Sequence, residues 1–192
     1  MLDWGMMAEM FPDLQTKRLK LREMVREDIP ALCQHLNNYE VSKMLSVVPY
    51  PYSKMDAESW LAHDQHCDLS DEINWVIDNG AGQIGSVGLR LIKTQPTIGY
   101  WLAEPYWGKG YMSEVVRAVL NYAFDELALE QIHVSAFNEN SASLKLLRKQ
   151  GFRSVGSEMT RCAARGDEDI PHILLELPRH DYFEENLDRL TN

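Results

Sequence analysis

The segment from Ile98 to Leu127 constrains the fold of this chain more than any other. An apolar run from Ile98 to Leu102 predicts a strand, and a loop with Gly108 and Gly110 separates this strand from a long amphipathic helix. The apolar helix positions recur at intervals of three and four residues: Met112, Val115, Val116, Val119, Leu120, Ala123 and Leu127. Glycines let the loop turn tightly, and the helix N-terminus adds unpaired N–H groups. The segment predicts either a phosphate- or pyrophosphate-binding loop or an ordinary strand-to-helix turn.

The two glycines match neither of the common nucleotide-binding patterns. No third glycine follows at the spacing of the dinucleotide fingerprint, and the Gly-Lys-Ser/Thr sequence of a Walker loop is absent. The loop pattern by itself therefore leaves both alternatives open.

The remaining elements predict an α+β fold with a mostly antiparallel sheet that contains one parallel pair. Antiparallel hairpins come first in the chain, and a strand–helix–strand–helix–strand order follows. Asp28 is expected to cap a helix that ends near Asn38, and Ser53 with Asp56 resembles a capping box. The predicted strands lie around Leu19–Met24, Ile73–Ile77, Ile84–Ile92, Ile98–Leu102, Ile132–Ala136, Val155 and Ile173–Leu177, with a short helix from Ser141 to Gly151.

Length and composition favour a single domain with a core of its own. The chain has 192 residues, of which 45% are hydrophobic, and it contains no internal repeat or low-complexity linker. We expect an N-terminal extension over residues 1–13, one domain over 14–178 and a tail over 179–192 that forms a last helix.

The charge balance excludes some partners. With 29 acidic and 19 basic residues the net charge is −10, which disfavours nucleic acid and favours cationic partners. No apolar run reaches the ~18 residues that span a bilayer, and the N-terminus lacks the features of a secretory signal. Cys33, Cys67 and Cys162 are widely spaced, so no disulfide framework is expected. We therefore expect a cytoplasmic protein without a membrane partner.

Two polar clusters have simple explanations. His63, His66 and Cys67 lie on one helix face, but no second ligand cluster follows, so we expect exposed helix residues and no metal. Asp167–Asp169 are expected to form a solvated loop, and acids near an acceptor mouth would attract a cationic amine.

Five segments in order resemble the GCN5-related N-acetyltransferase (GNAT) superfamily, in particular its RimJ/RimL-like branch. The resemblance runs from about Leu14 to Pro178. The matching segments are Leu14-x-Thr16-x-Arg18-Leu19-x-Leu21-Arg22, Pro49-x-Pro51-Tyr52-Ser53 with Asp56-Ala57 and Trp60-Leu61, Ile98–Leu102 with Tyr106–Glu114, Asn140–Ser143, and Gly151-Phe152. Such a set is far more specific than any one motif.

The resemblance implies acetyl-CoA as the acetyl donor. The pantetheine arm would pair with the strand backbone of Trp101, Leu102 and Ala103. Backbone N–H groups of the following loop would bind the pyrophosphate, and that loop comprises Tyr106, Trp107, Gly108, Lys109, Gly110 and Tyr111. Relatives often carry Gln or Arg at the first loop position, where this chain has Pro105.

The resemblance also implies catalytic roles. A backbone N–H near Leu102 would stabilise the oxyanion, and a serine at the place of Ser143 would lie near the donor sulfur. Ser143 is otherwise a helix-start residue, and Asn140 is either an N-cap alone or also a cofactor contact. Many relatives place a tyrosine four residues before the Gly-Phe pair, but here that residue is Leu147.

The general base is less defined by the sequence. Glu158 lies where the branch has a proposed acidic base, and Glu104 lies beside the cofactor loop. Either carboxylate could equally be a solvated surface group, with water carrying the proton.

The predicted function is N-acetyl transfer from acetyl-CoA to a primary amine, by direct attack on the thioester. The acceptor is either a protein N-terminus or a small cationic amine, and the resemblance leaves a homodimer open. A non-catalytic acyl-CoA-binding or sensor module on the same fold is the alternative, because Leu147 and the undefined base weaken the catalytic assignment.

Overall fold

A computed structural model describes residues 10–184 as one eight-stranded sheet with helices on both faces. The strands are β1 (Leu14–Gln15), β2 (Lys20–Arg22), β3 (Ile73–Asp78), β4 (Gln83–Arg90), β5 (Thr97–Leu102), β6 (Gln131–Phe137), β7 (Arg153–Cys162) and β8 (Gly166–Pro178). The helices are α1 (Ile29–Leu36), α2 (Tyr39–Ser42), α3 (Lys54–Asp64), α4 (Tyr111–Asn121) and α5 (Ser141–Lys149). Within residues 10–184, no helix is long and apolar enough to cross a bilayer.

The sheet is antiparallel except at its centre. Its strand order is β1-β2-β3-β4-β5-β6-β8-β7, and β5 with β6 is the parallel pair. These two strands share a single register pair, Thr97 with His133, whereas β4 and β5 pair from Thr97 through Leu102. Beyond Thr97 and His133 the two strands therefore diverge, and we call the space between 98–102 and 134–137 the strand gap.

Apolar side chains cover both faces of the sheet. One face packs against α4 and α5 through residues such as Val115, Leu120 and Leu147, all fully buried. The other face, over β3 to β5, packs against α1 and α3 in a second cluster that includes Leu32 and Leu61. The strands that border the strand gap are therefore fixed by helices packed on both faces of the sheet.

The expected α+β fold with one parallel pair is confirmed. The capping box is confirmed as well: the Ser53 hydroxyl oxygen accepts from the Asp56 N–H at 3.2 Å, and an Asp56 carboxylate oxygen accepts from the Ser53 N–H at 2.7 Å. Asp28 stands at the start of α1, but its carboxylate binds the Arg22 guanidinium and the Val25 N–H instead of capping that helix.

Two details of the prediction were wrong. The amphipathic helix does not continue regularly to Leu127, because α4 ends at Asn121 and a π-helical turn covers Tyr122–Glu126. Asp167–Asp169 are part of β8 and not a solvated loop, since β7 and β8 form a long antiparallel hairpin in which Arg161 pairs with Asp169. Charged cross-strand neighbours can hold such polar strands, which hydrophobic alternation does not reveal.

Residues next to the predicted domain limits pack on the core. The Trp75 indole N–H donates to the Pro12 carbonyl at 2.6 Å, and the Phe11 ring lies 6.2 Å from the Trp75 ring. Residues 179–184 are helical, with the Tyr182 ring 5.2 Å from the Phe124 ring. The remainder of the tail, 185–192, and residues 1–9 lie outside the described residues, so the limits 1–13, 14–178 and 179–192 stay a prediction.

Gly85 tests how tightly β4 must approach β5. A Cβ at Gly85 would run into the Trp101 carbonyl oxygen and lie 3.1 Å from the Leu102 Cα. We expect Gly85→Ala to lower the free energy of unfolding by about 2 kcal/mol through overpacking against backbone. Gly99→Ala is the control, because nothing lies within 4 Å of its added Cβ. Equal urea midpoints for the two variants would contradict this packing.

Candidate active site

A glycine-containing loop joins the end of β5 to α4. A 3-10 turn covers Glu104–Tyr106, and α4 begins at Tyr111. Gly108 and Gly110 have φ values of +71° and +76°, in the left-handed region that side chains rarely adopt. Nothing lies within 4 Å of a Cβ added to Gly108, so this face of the loop is open.

The loop presents a shorter run of free N–H groups than the sequence indicated. Tyr106 donates its N–H to the Ala103 carbonyl at 3.0 Å, and Trp107 donates to the Glu104 carbonyl at 3.1 Å. The N–H groups of Gly108, Lys109 and Gly110 have no acceptor among residues 10–184. The first turn of α4 from Tyr111 adds further unpaired N–H groups, as any helix N-terminus does. Gly108 to Tyr111 are therefore the part of the loop that presents free backbone N–H groups.

Two cations stand beside this loop. The Lys109 ammonium lies 5.4 Å from the centre of the Tyr106 ring, and the Arg18 guanidinium lies 4.4 Å from the Tyr111 ring. Arg18 also donates to the Lys109 carbonyl at 2.9 Å. Glu104 in the loop and Glu114 beside Arg18 offset these two charges, so the loop is distinguished by its free N–H groups more than by its net charge.

Glu114 fastens the N-terminal segment to the first turn of α4. Its carboxylate accepts the Thr16 hydroxyl at 2.6 Å, the Arg18 N–H at 2.8 Å and the Arg18 Nε at 2.7 Å. Burial raises the pKa of the Glu114 carboxyl, but the hydrogen bonds from Thr16 and Arg18 outweigh it and hold that pKa below its usual value. We call Thr16, Arg18 and Glu114 the loop latch. Sequence reasoning missed it, because its partners lie 96 to 98 residues apart.

The backbone of β5 alternates between its two neighbours. Ala103 donates its N–H to the Ile84 carbonyl at 2.9 Å, so Ala103 and Trp101 direct their backbone groups toward β4. Leu102 and Tyr100 therefore direct theirs into the strand gap. Of the three residues predicted to hold a pantetheine arm, Leu102 is the one with an N–H aimed there. Its carbonyl accepts the Trp107 indole N–H at 2.7 Å.

A pair of hydroxyl groups joins β5 to the start of α5. The Tyr100 phenol oxygen lies 2.9 Å from the Ser143 hydroxyl oxygen, and the Ser143 N–H donates to the Asn140 side chain at 3.1 Å. Burial raises the pKa of Tyr100 to about 12 despite the opposing hydrogen bond with Ser143. Asn140 is thus the N-cap of α5, while Leu147 is buried in the core. Tyr100 was not predicted as a site residue, because its alternation in β5 fits a packing role equally well.

The two candidate bases lie in different surroundings. The Glu104 carboxylate accepts a hydrogen bond from the Asn38 amide, which ties the loop to the segment before α2. Glu158 is exposed in the edge strand β7, opposite His172 of β8. Two strand spacings, about 10 Å, separate β7 from β6. The role of Glu158 as a base stays a prediction.

The predicted helix face is wrong for His66 and Cys67, which follow the end of α3 at Asp64, and all three side chains have ordinary partners. The His63 Nε2 lies 3.2 Å from a Glu72 carboxylate oxygen, the His66 Nδ1 lies 2.7 Å from the Ala62 carbonyl, and the Cys67 thiol lies 3.2 Å from the Asp64 carbonyl. Among residues 10–184, no three His, Cys, Asp or Glu side chains form a group that could hold a metal ion.

Comparison with known proteins identifies the family. The sequence model described as "Acetyltransferase (GNAT) domain" matches residues 18–153. The chain belongs to the GNAT family. The predicted family is confirmed, and with it the assignment of this GNAT protein as an acetyl-CoA-dependent acyltransferase.

A curated relative supports this assignment. The GNAT chain is 32% identical over 149 residues to "Uncharacterized N-acetyltransferase p20" of Bacillus licheniformis, which covers 74% of this chain and 83% of the relative.

Solved structures share the GNAT fold. A spermidine N-acetyltransferase from Vibrio cholerae, solved in complex with CoA and spermine, superposes with a TM-score of 0.72 at 22% identity, covering 86% of this chain and 98% of that one. RimJ of Mycobacterium smegmatis, in complex with CoA-disulfide, gives a TM-score of 0.75 at 16% identity and covers 91% and 93%. At these identities the structures establish the fold alone.

The loop latch can be tested by removing one charge. Glu114→Gln should weaken acetyl-CoA binding about fivefold, since about 1 kcal/mol of charge-assisted hydrogen bonding to Thr16 and Arg18 is lost and the loop is held less firmly. Titration calorimetry measures the affinity. Glu126→Gln, an exposed acid past the other end of α4, is the charge-matched control.

The same variant changes the acid response of the fold. Because the native pKa of Glu114 is lowered, its carboxylate stabilises the protein above the unfolded pKa of about 4.3, and this contribution disappears as the pH falls through the native pKa. The Gln variant should therefore lose less stability on acidification than the parent protein. Unchanged affinity and an unchanged acid response would together contradict the latch.

Two substitutions at Gly108 separate the effect of charge on the loop from the effect of side-chain size. Asp and Asn are similar in size and both tolerate the left-handed region, so Gly108→Asp and Gly108→Asn should fold alike. We expect the Asp variant to bind acetyl-CoA at least about tenfold more weakly than the Asn variant, because a carboxylate there repels a pyrophosphate. Equal affinities would place the phosphate site elsewhere.

Proposed function

We propose that this enzyme transfers the acetyl group of acetyl-CoA to a primary amine. The observation that carries the proposal is the strand gap, which runs from the open loop at Gly108–Tyr111 to the hydroxyl pair of Tyr100 and Ser143. An anion-binding loop, an unpaired strand edge and a hydroxyl group therefore lie in the order of the chemical parts of acetyl-CoA.

Residues along the gap fit those parts. The free N–H groups of Gly108, Lys109 and Gly110, together with the start of α4, suit a pyrophosphate. The gap-facing backbone of β5 suits the amide groups of a pantetheine arm, which can pair with a strand edge as another strand would. Pro105 adds no side-chain contact to phosphate, so binding would depend on the backbone donors.

The chemistry needs little from the protein beyond position and charge. A neutral amine nitrogen attacks the thioester carbon, and the Leu102 N–H is the proposed donor to the developing oxyanion. The carbon–sulfur bond then breaks, and the Ser143 hydroxyl is the proposed proton source for sulfur. The proton that the nitrogen loses leaves through water, with Glu158 as the carboxylate proposed to accept it.

The acceptor class follows from charge. A net charge of −10 attracts cationic amines, and Glu104 lies on the loop beside the gap. A related structure contains spermine, and the sequence analysis leaves a protein N-terminus open as the acceptor. We propose a small polyamine or a protein N-terminal amine as the acceptor.

The decisive experiment combines calorimetry with an amine panel. Acetyl-CoA should bind saturably with one site per chain, and free thiol should then appear only when a suitable amine is present. The panel contains spermidine and spermine, and peptides with free α-amines. Each acceptor is paired with its fully acetylated form, which cannot be attacked.

Each result leads to a different conclusion. Thiol release with polyamines or with peptides assigns the acceptor class. Binding without release on any amine would support the non-catalytic acyl-CoA-binding module instead. Absence of binding at millimolar acetyl-CoA would contradict the donor site altogether.

A further inference from the structure

Tyr100 extends from β5 to the N-terminus of α5. β5 and β6, the strand that precedes α5, diverge after Thr97 and His133. The phenol of Tyr100 therefore spans the side on which the strand gap widens. Its oxygen lies 2.9 Å from the Ser143 hydroxyl oxygen. Within residues 10–184, neither hydroxyl has another hydrogen-bond partner.

Either hydroxyl can donate this hydrogen bond, and a protonated Tyr100 can donate it to Ser143. Burial raises the pKa of Tyr100 to about 12, so the phenol stays protonated over the neutral range. A buried phenol O–H needs an acceptor, and the Ser143 oxygen is the one within reach. If Tyr100 donates to Ser143, the proton of Ser143 itself is not used within the pair. The backbone of Ser143 is held separately by Asn140.

We propose that Tyr100 is a positioning residue that aims the Ser143 hydroxyl proton at the sulfur of the acetyl donor. This inference rests on the proposed function. It also explains how the site manages without a tyrosine at Leu147, which is buried and has no polar group. The aromatic hydroxyl is supplied from β5 instead of α5.

The proposed step is a relay of two protons. As the carbon–sulfur bond breaks, its electron pair goes to sulfur and the Ser143 hydroxyl proton follows. Ser143 takes the phenol proton of Tyr100 at the same time. The proton that the acceptor nitrogen gives to Glu158 exchanges with water, and Tyr100 regains a proton from water, so no further reactant is consumed.

The first test does not require turnover. The thiol of bound CoA is titrated by the ultraviolet absorbance of its thiolate in the parent protein and in three variants: Tyr100→Phe, Ser143→Ala and Tyr122→Phe. A hydrogen bond from Ser143 favours the thiolate, so the pKa of the bound thiol should rise by about 1 unit in the first two variants. Tyr122→Phe is the control, because it removes a half-buried phenol whose ring meets Trp75 edge to face outside the site.

The second test changes the leaving group. Tyr100→Phe should lower turnover with acetyl-CoA about 10- to 100-fold while calorimetric affinity for CoA is kept. Acetyl-selenocoenzyme A has a far more acidic leaving group that needs no proton, so with this donor the variant should approach the parent rate. A purely structural role of Tyr100 would slow both donors equally.

The outcomes separate this inference from the proposed function. An unchanged thiol pKa in Tyr100→Phe, or equal rate losses with both donors, would overturn the role of Tyr100. Bound CoA with the expected pKa shift, but no transfer to any amine, would support the role of Tyr100 and refute the transferase proposal. Failure to bind CoA would overturn both.

Discussion

β5 and β6 are neighbours in the sheet but share only the register pair of Thr97 with His133. Each strand therefore has an edge whose N–H and C=O groups lack strand partners, which is costly unless water or a ligand satisfies them. The flanking strands and the helices on both faces keep these edges apart. The loop, the hydroxyl pair and the N-terminus of α5 all take their positions from this divergence.

The loop between β5 and α4 differs from the acidic chain as a whole in the groups that it offers to an anion. The chain carries −10 overall, yet the loop combines free N–H groups with Lys109 and Arg18. Glu114 neutralises part of the charge of Arg18. Arg18 therefore orders the loop more than it attracts anions. Phosphate binding, as proposed, would therefore depend on backbone donors held by the loop latch, on a protein whose net negative charge favours cations.

Local patterns in the sequence identified most of the elements but few of their contacts. Apolar spacing predicted α4, and Ser53 with Asp56 predicted the start of α3, because these signals lie within a few residues. The Tyr100–Ser143 pair spans 43 residues, and the loop latch spans nearly a hundred. Such pairs depend on strand register, which one sequence does not reveal. The polar hairpin of β7 and β8 was likewise hidden, since charged pairs replace apolar alternation there.

The open edge of β5 has a consequence for how the protein persists. Under the proposed function, a donor bound in the gap would complete the sheet, so its binding would add directly to the free energy of unfolding. At a ligand concentration 100 times Kd this linkage contributes about 2.7 kcal/mol, a large share of the margin that ordinary domains possess. The stability of the folded chain would then be coupled to the supply of its own acyl donor.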